Sequence, residues 1–415
     1  MSSALRNYAI VTGAYWSFML TDGALRMIVL LYFHELGYTP VQLAFLFLLY
    51  EFFGIVTNLV GGWLANRFGL KMTLVSGLSL QAVALFTLSF LNPEWGKSIA
   101  VPFVMGVQAL SGIAKDLTKM SSKTAIKFLV PADQGTKLFK WVAILTGSKN
   151  AIKGAGFFVG GALLQTAGFK SSLWIMGIAL ILIFLFSLTS LPKEIGQAKS
   201  KNKLKAIFSQ GRNINILSSA RVFLFGARDI WFVVAVPVYM TAKLGWNFSQ
   251  VGAFMAIWVI IYGAVQAYAP VIIKKRTGGE KPDGRTALEL AIILTFVMTA
   301  LTIVLNSGWD PKLAIVIGLY IFGAAFAVNS SVHSFLIIDY ADGDKAAINV
   351  GFYYMANALG RLTGTLLSGT LYQIGGILYC LIGSIIFLVI TSAISILLPR
   401  NPISSGQAEE SLKKS

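Results

Sequence analysis

Apolar residues in this chain neither alternate nor collect into short amphipathic turns; they run in uninterrupted blocks from one end to the other. A block of about twenty such residues covers ~30 Å of hydrocarbon at ~1.5 Å per residue, so each predicts a membrane-spanning helix. Spans are expected near 7–33, 41–65, 71–91, 100–126, 138–168, 171–191, 213–241, 249–273, 287–306, 313–338, 346–374 and 377–398. Turn-forming residues separate them, among them Gly37-Tyr38-Thr39-Pro40, Asn92-Pro93 and Asp310-Pro311. The first apolar block is too long for a signal-peptide core and is expected to stay as a helix. One longer polar stretch, Pro192 to Arg212, interrupts the series midway. The expected fold is therefore an all-α membrane protein of twelve transmembrane helices in two six-helix repeats. Its bundles fall at 1–191 and 213–400, with a linker at 192–212 and a tail at 401–415.

The two halves repeat. A single ungapped offset of 208 residues aligns Gly37 with Gly245, Gln42 with Gln250, Lys137 with Lys345 and Lys153 with Arg361. The same offset aligns Gly156 with Gly364, Gly161 with Gly369, Gln165 with Gln373 and Gly168 with Gly376. Repeated six-helix halves build a cargo site near the bilayer midplane, between them. This favours a transporter whose halves rock over a channel or a membrane enzyme.

Composition agrees, with 56% hydrophobic and 12% charged residues and a mean hydropathy of +0.73. The net charge of +17 suggests nucleic acid only until the positive residues are placed. Of the 34 lysines and arginines, nine fall within spans and four, Lys97, Lys170, Lys243 and Lys312, in the loops of one side. The remaining 21 occupy the termini and the loops of the other side, which places both termini and the linker in the cytoplasm. No nucleic-acid partner is expected. The single cysteine, Cys380, leaves no disulfide or thiolate cluster, and His34 and His333 are too far apart in sequence to suggest a zinc site. No metal and no cofactor is expected. No Gly-x-x-x-x-Gly-Lys-Ser/Thr run is present, which points away from direct drive by ATP and towards secondary transport.

A Lys or Arg at the centre of a spanning helix costs about 2.5–3.5 kcal/mol, and nine cost on the order of twenty to thirty. Arg26, Lys115, Lys119, Lys123, Lys149, Lys153, Arg221, Arg228 and Arg361 must therefore face water, counter-charge or cargo. Only four acids, Asp22, Glu51, Asp116 and Asp229, share the spans with them. Lys115, Lys119 and Lys123 recur every four residues and form one stripe; Lys149 with Lys153, and Arg221 with Arg228, share faces by the same rule. Lys123 lies near enough to the cytoplasmic end to snorkel. Lys153 and its repeat mate Arg361 are expected at one depth, facing each other across the midplane. Asp22 is expected to pair with Arg26, Asp116 with Lys119 or a neighbour, and Asp229 with Arg228 or Arg26. Glu51 has no cation three or four residues away, which makes it the candidate for a coupling proton. The cationic excess selects a small organic polyanion, held by Arg26, Lys115, Lys119, Lys149, Lys153, Arg228 and Arg361. Tyr15, Trp16, Tyr50, Trp141, Trp231, Tyr353 and Tyr354 are expected mainly to pack, as is His333. Asn150 and Asn357 suit either cargo or helix contacts.

At the end of the second span, Gly62-Trp63-Leu64-Ala65-Asn66-Arg67-Phe68-Gly69-Leu70-Lys71 resembles the loop 2–3 signature of the major facilitator superfamily. Asn66 replaces its usual Asp and Leu70 a usual basic residue, while Gly62, Arg67, Gly69 and Lys71 keep its frame and, by the resemblance, its gating role. The Gly154–Gly161 run resembles the superfamily's glycine-rich antiporter motif without its Gly-Pro pair. Segments beginning at Leu20, Tyr50, Ser111, Leu145, Phe225 and Pro282 resemble the organoarsenical efflux permeases of bacterial arsenic-resistance operons, the ArsJ type, over nearly the whole chain. The Lys-rich segment Ser111–Lys123 is the most specific of these. That resemblance implies a monomeric, multi-pass protein of the bacterial inner membrane that exports 1-arseno-3-phosphoglycerate and so gives arsenate resistance. It also implies a functional link to glyceraldehyde-3-phosphate dehydrogenase, which makes the compound when arsenate replaces phosphate. Hard anionic oxygens at both ends of that molecule suit a basic chamber, whereas trivalent arsenic seeks thiolates that Cys380 alone does not supply. An organophosphate or carboxylate exchanger is the alternative transporter, and a membrane scaffold the alternative outside transport.

Overall fold

The computed structural model describes the backbone of residues 3–129, 135–192, 211–341 and 346–400, and the side chains of 6–60, 69–119, 121–122, 148–192, 211–341 and 349–400. The helices are α1 (Ser3–Glu35), α2 (Pro40–Leu46), α3 (Leu48–Ser89), α4 (Lys97–Leu129), α5 (Gly135–Ser190), α6 (Arg212–Phe232), α7 (Ala235–Ala242), α8 (Phe248–Arg276), α9 (Gly284–Asn306), α10 (Pro311–Asp339) and α11 (Ala346–Ser395). Among the described residues, ten stretches are long and apolar enough to cross a membrane. Two of these, Ser148–Ser190 and Asn349–Ser395, run 43 and 47 residues, long enough for two crossings of a ~30 Å layer. Both break at a glycine with positive φ, Gly168 (φ 75°) and its repeat mate Gly376 (φ 66°). The turns expected there are thus tight kinks, one residue at Gly168 and two at Gly375–Gly376, with the left-handed backbone at Gly168 and Gly376 where the absent Cβ permits it.

Two expected spans are interrupted. The one at 41–65 starts as α2 and breaks at Phe47. The one at 213–241 breaks at Val233–Val234, where the freed N–H groups of Val234 and Ala235 donate to Ser368 Oγ of α11 at 3.2 and 3.1 Å. Hydrocarbon offers no water to such groups, so a neighbouring hydroxyl has to satisfy them. The linker from residue 193 to 210 and the tail from 401 lie outside the described residues, as does the pair Lys137 and Lys345.

The repeat visible in the sequence is repeated in local geometry. Gly37 (φ 75°) precedes the Thr39/Gln42 capping box of α2, and Gly245 (φ 67°) precedes the Asn247/Gln250 capping box of α8. Each capped end then meets a helix of the other half. A Cβ at Gly161 of α5 would strike the Phe248 carbonyl of α8, and one at Gly369 of α11 would strike the Pro40 carbonyl of α2. Gln165 Oε1 accepts from Ser249 N at 3.1 Å, and Gln373 Oε1 accepts from Val41 N at 3.3 Å. The halves are thus joined at this end by two equivalent seams. Large apolar side chains such as Phe296 (78% exposed) turn outward, where lipid replaces water as solvent.

Candidate functional site

The polar residues that hydrocarbon would reject converge on one cavity of about 260 Å³, lined from both halves. Its centre is Glu51, which α3 carries one turn beyond the break at Phe47. Arg26 Nη2 of α1 donates to Glu51 Oε1 at 2.6 Å, and Arg361 Nη2 of α11 donates to the same oxygen at 2.6 Å while lying equally close to Oε2. One carboxylate is thus clamped by guanidinium groups from opposite halves. Arg361 Nε also reaches Asp229 Oδ2 at 3.8 Å, while Arg228 Nη2 sits 2.5 Å from Asp229 Oδ1. Aromatic faces complete the clamp, with Arg26 Cζ 5.1 Å from the Phe47 ring centre and 5.2 Å from that of Tyr50.

Two further groups flank it. Lys153 Nζ of α5 meets Asp22 Oδ2 of α1 at 2.6 Å, and the Tyr50 hydroxyl donates to Asp22 Oδ1 at 2.7 Å. On α4, Lys119 Nζ lies 3.2 Å from Asp116 Oδ1 and donates to Asn58 Oδ1 at 2.6 Å, while the Thr57 hydroxyl donates to Asp116. Lys115 Nζ stands 4.1 Å above the Tyr50 ring, and among the described residues no carboxylate approaches it within 4 Å. Lys149 lines the same cavity.

All seven cations assigned to binding from the sequence therefore line one chamber, and the acids pair as expected for Asp116 with Lys119 and Asp229 with Arg228. Asp22 pairs with Lys153 rather than Arg26, because two helices crossing at Gly23 and Gly156 bring a closer cation than the same helix offers. Glu51, without a cation near it in sequence, has two in space, from residues 25 and 310 positions away. Lys153 and Arg361 do not confront each other unscreened, since Asp22 and Glu51 hold them. Tyr50, expected from the sequence mainly to pack, also donates to Asp22, and Thr57 and Asn58 join the site with no signal beyond sharing a spanning helix with Glu51. His333 is fully buried on α10, and Asn150 donates to Gln266 Oε1 at 3.2 Å. The side chains of Gly62, Arg67, Lys123 and Trp141 lie outside the described residues. Of the loop 2–3 frame, Gly69 (φ 76°) kinks α3, and Lys71 Nζ donates to the Leu191 carbonyl at 2.5 Å.

A long helical bundle with a charged chamber between its halves matches a known sequence profile, that of the Major Facilitator Superfamily, over residues 11–364. The chain belongs to that superfamily. This major facilitator transporter is 22% identical to an MFS-type transporter of Methanocaldococcus jannaschii over 407 residues, covering 96% of this chain and 99% of that one. It is 26% identical over 212 residues to a Na(+), Li(+), K(+)/H(+) antiporter of Planococcus maritimus, covering 47% of this chain and 48% of the antiporter. Its fold is that of a D-xylose-proton symporter, with a TM-score of 0.69, 16% identity, and coverage of 94% of this chain and 96% of the symporter. As a multi-pass member of the superfamily, it holds this charged chamber between its two halves.

Proposed function

We propose that this transporter exports a small organic polyanion across a bacterial inner membrane, with 1-arseno-3-phosphoglycerate as its cargo and arsenate resistance as the result. One observation carries the anion: eight cations share the chamber and its immediate contacts with four carboxylates, Asp22, Glu51, Asp116 and Asp229. Such an excess of cations over carboxylates in a largely buried chamber calls for counter-charge from cargo. The identity of the cargo rests on resemblance, as does the link to glyceraldehyde-3-phosphate dehydrogenase and the monomeric state. In this reading the protein crosses the membrane twelve times in two bundles, 1–191 and 213–400, joined by the linker 192–212. Both termini and the tail 401–415 are cytoplasmic, and Gly62, Arg67, Gly69 and Lys71 gate that side.

Glu51 occupies the position an anionic head would take, between Arg26 and Arg361. Protonating it, or moving it aside, frees both guanidinium groups, so proton uptake and anion binding are linked. The same clamp supports the second reading, an organophosphate or carboxylate exchanger, because it already holds a carboxylate. Everted membrane vesicles supplied with the dehydrogenase, its triose phosphate substrate, cofactor and arsenate decide between them. Vesicles containing the transporter should accumulate arsenic, and control vesicles should not. Accumulation of 3-phosphoglycerate from an arsenate-free mixture at the same rate would favour the exchanger, and uptake of neither would sink the anion reading.

A further inference from the structure

Arg221 is the one arginine of the chamber that none of the preceding roles uses. It lies on α6, is 4% exposed and lines the cavity. Its Nε donates to Asn357 Oδ1 at 2.9 Å and its Nη1 to the Ser330 carbonyl at 3.4 Å. Its Cζ stands 3.8 Å from the ring centre of Phe225 and 5.0 Å from that of Tyr353. Among the described residues no carboxylate comes within 4 Å of it, whereas Arg26 and Arg228 each have one and Arg361 has two. Amide and carbonyl oxygens and ring faces stabilise a guanidinium, yet they leave its full charge in place. A buried arginine held in this way is oriented without being neutralised.

Its position relative to the Glu51 clamp is fixed by two helices. On α11, Asn357 touches Arg221 and Arg361 touches Glu51, one turn or ~6 Å apart. On α6, Arg221 and Arg228 are separated by two turns, ~10 Å. The chamber's arginines therefore form two poles, one filled by an internal carboxylate and one without any, separated by about the length of a triose-sized molecule, while Lys115, also without a carboxylate, lies against Tyr50 of α3, the residue before Glu51.

We propose that Arg221 is a second anchor, which takes the far head of a two-headed anion whose near head replaces Glu51 between Arg26 and Arg361. The cargo class is then a short, extended molecule with an anionic group at each end, and a single-headed anion of the same length leaves Arg221 without counter-charge. This inference rests on the polyanion reading and adds to it a length and a second point of attachment. Arg221 selects between cargoes, while the clamp binds whichever head is common to them.

Binding of 3-phosphoglycerate and of glycerol 3-phosphate, which has the same backbone and phosphate but no carboxylate, tests this in the full-length protein in detergent. Each affinity is measured by isothermal titration. The parent should prefer 3-phosphoglycerate by about tenfold, the ordinary worth of one charge-assisted contact. In Arg221→Gln that ratio should fall to about one. Asn357→Asp provides a second variant in case Arg221→Gln folds poorly, because it sets a carboxylate beside the guanidinium without removing it, and the ratio should fall there too. A parent that binds both compounds equally, or variants that weaken both by the same factor, would overturn the second anchor while leaving the polyanion reading intact. Failure of the parent to bind either compound overturns that reading as well.

Discussion

Lys115 and Lys153 look alike in the sequence, each a lysine on an interior stripe, but they differ in company. Lys153 holds Asp22 at 2.6 Å, whereas Lys115 rests on the face of Tyr50 at 4.1 Å. Removing one partner of a buried pair strands the other charge and costs about 3–5 kcal/mol, while removing a buried cation that lacks a carboxylate relieves a cost. Lys153→Gln should therefore lower the thermal midpoint by several degrees and reduce membrane abundance. Lys115→Gln should keep or raise the midpoint while reducing anion transport at least tenfold. Thermal unfolding monitored by size-exclusion chromatography, beside transport in vesicles, separates the two. Equal destabilisation by both substitutions would mean that Lys115 is structural. The difference was not legible in the sequence. Spacing along a helix shows which residues share a face, and correctly joined Asp116 to Lys119. It is silent on the neighbouring helix, which is where Asp22 and Glu51 find their partners.

At the scale of elements, more was legible, because a helix that must bury or expose whole faces writes its period into the chain. The spans and the 208-residue repeat correspond to helices and equivalent capped ends in the structure, including Gln165 and Gln373 reaching across to Ser249 and Val41. The break at Phe47 had no signal, whereas the one at Val233–Val234 lies four residues before Pro237, which has no N–H to give the Val233 carbonyl; a hydroxyl from another helix takes up the freed N–H groups there. The repeat predicts matched behaviour. Gly161→Ala and Gly369→Ala each push a methyl group into a backbone carbonyl of the other half, at Phe248 and Pro40. Each should cost about 1–3 kcal/mol in the state with closed seams. Both variants should then become more reactive towards a maleimide at a cysteine introduced at Ser249 or Val41, beside the parted seam. The native Cys380 is buried and leaves that background low. Unchanged labelling would show that the seams already part freely, and that these glycines do not set the balance.

For the molecule as a whole, the Glu51–Arg361 contact is an ion pair between the two halves at cavity level, as the seams are contacts between them at one end. With its carboxylate in place, Glu51 screens Arg26 from Arg361; without it, two guanidinium groups from opposite halves face each other. Their repulsion is stronger in a chamber of low effective dielectric than in water. Glu51→Gln should therefore separate the halves when no anion is present, and an anion placed between the two arginines should draw them together again. Such a ligand shifts the balance only by its differential affinity for the two arrangements. Spin labels at Leu36 and Lys243, both exposed and at equivalent ends of the repeat, report the separation. The parent should show one narrow distance distribution with or without 3-phosphoglycerate. Glu51→Gln should show a longer, broader distribution that narrows on addition of 3-phosphoglycerate and not of neutral glycerol. If the variant keeps the parent's distances before any anion is added, the seams alone hold the halves, and Glu51 has no part in coupling cargo to conformation.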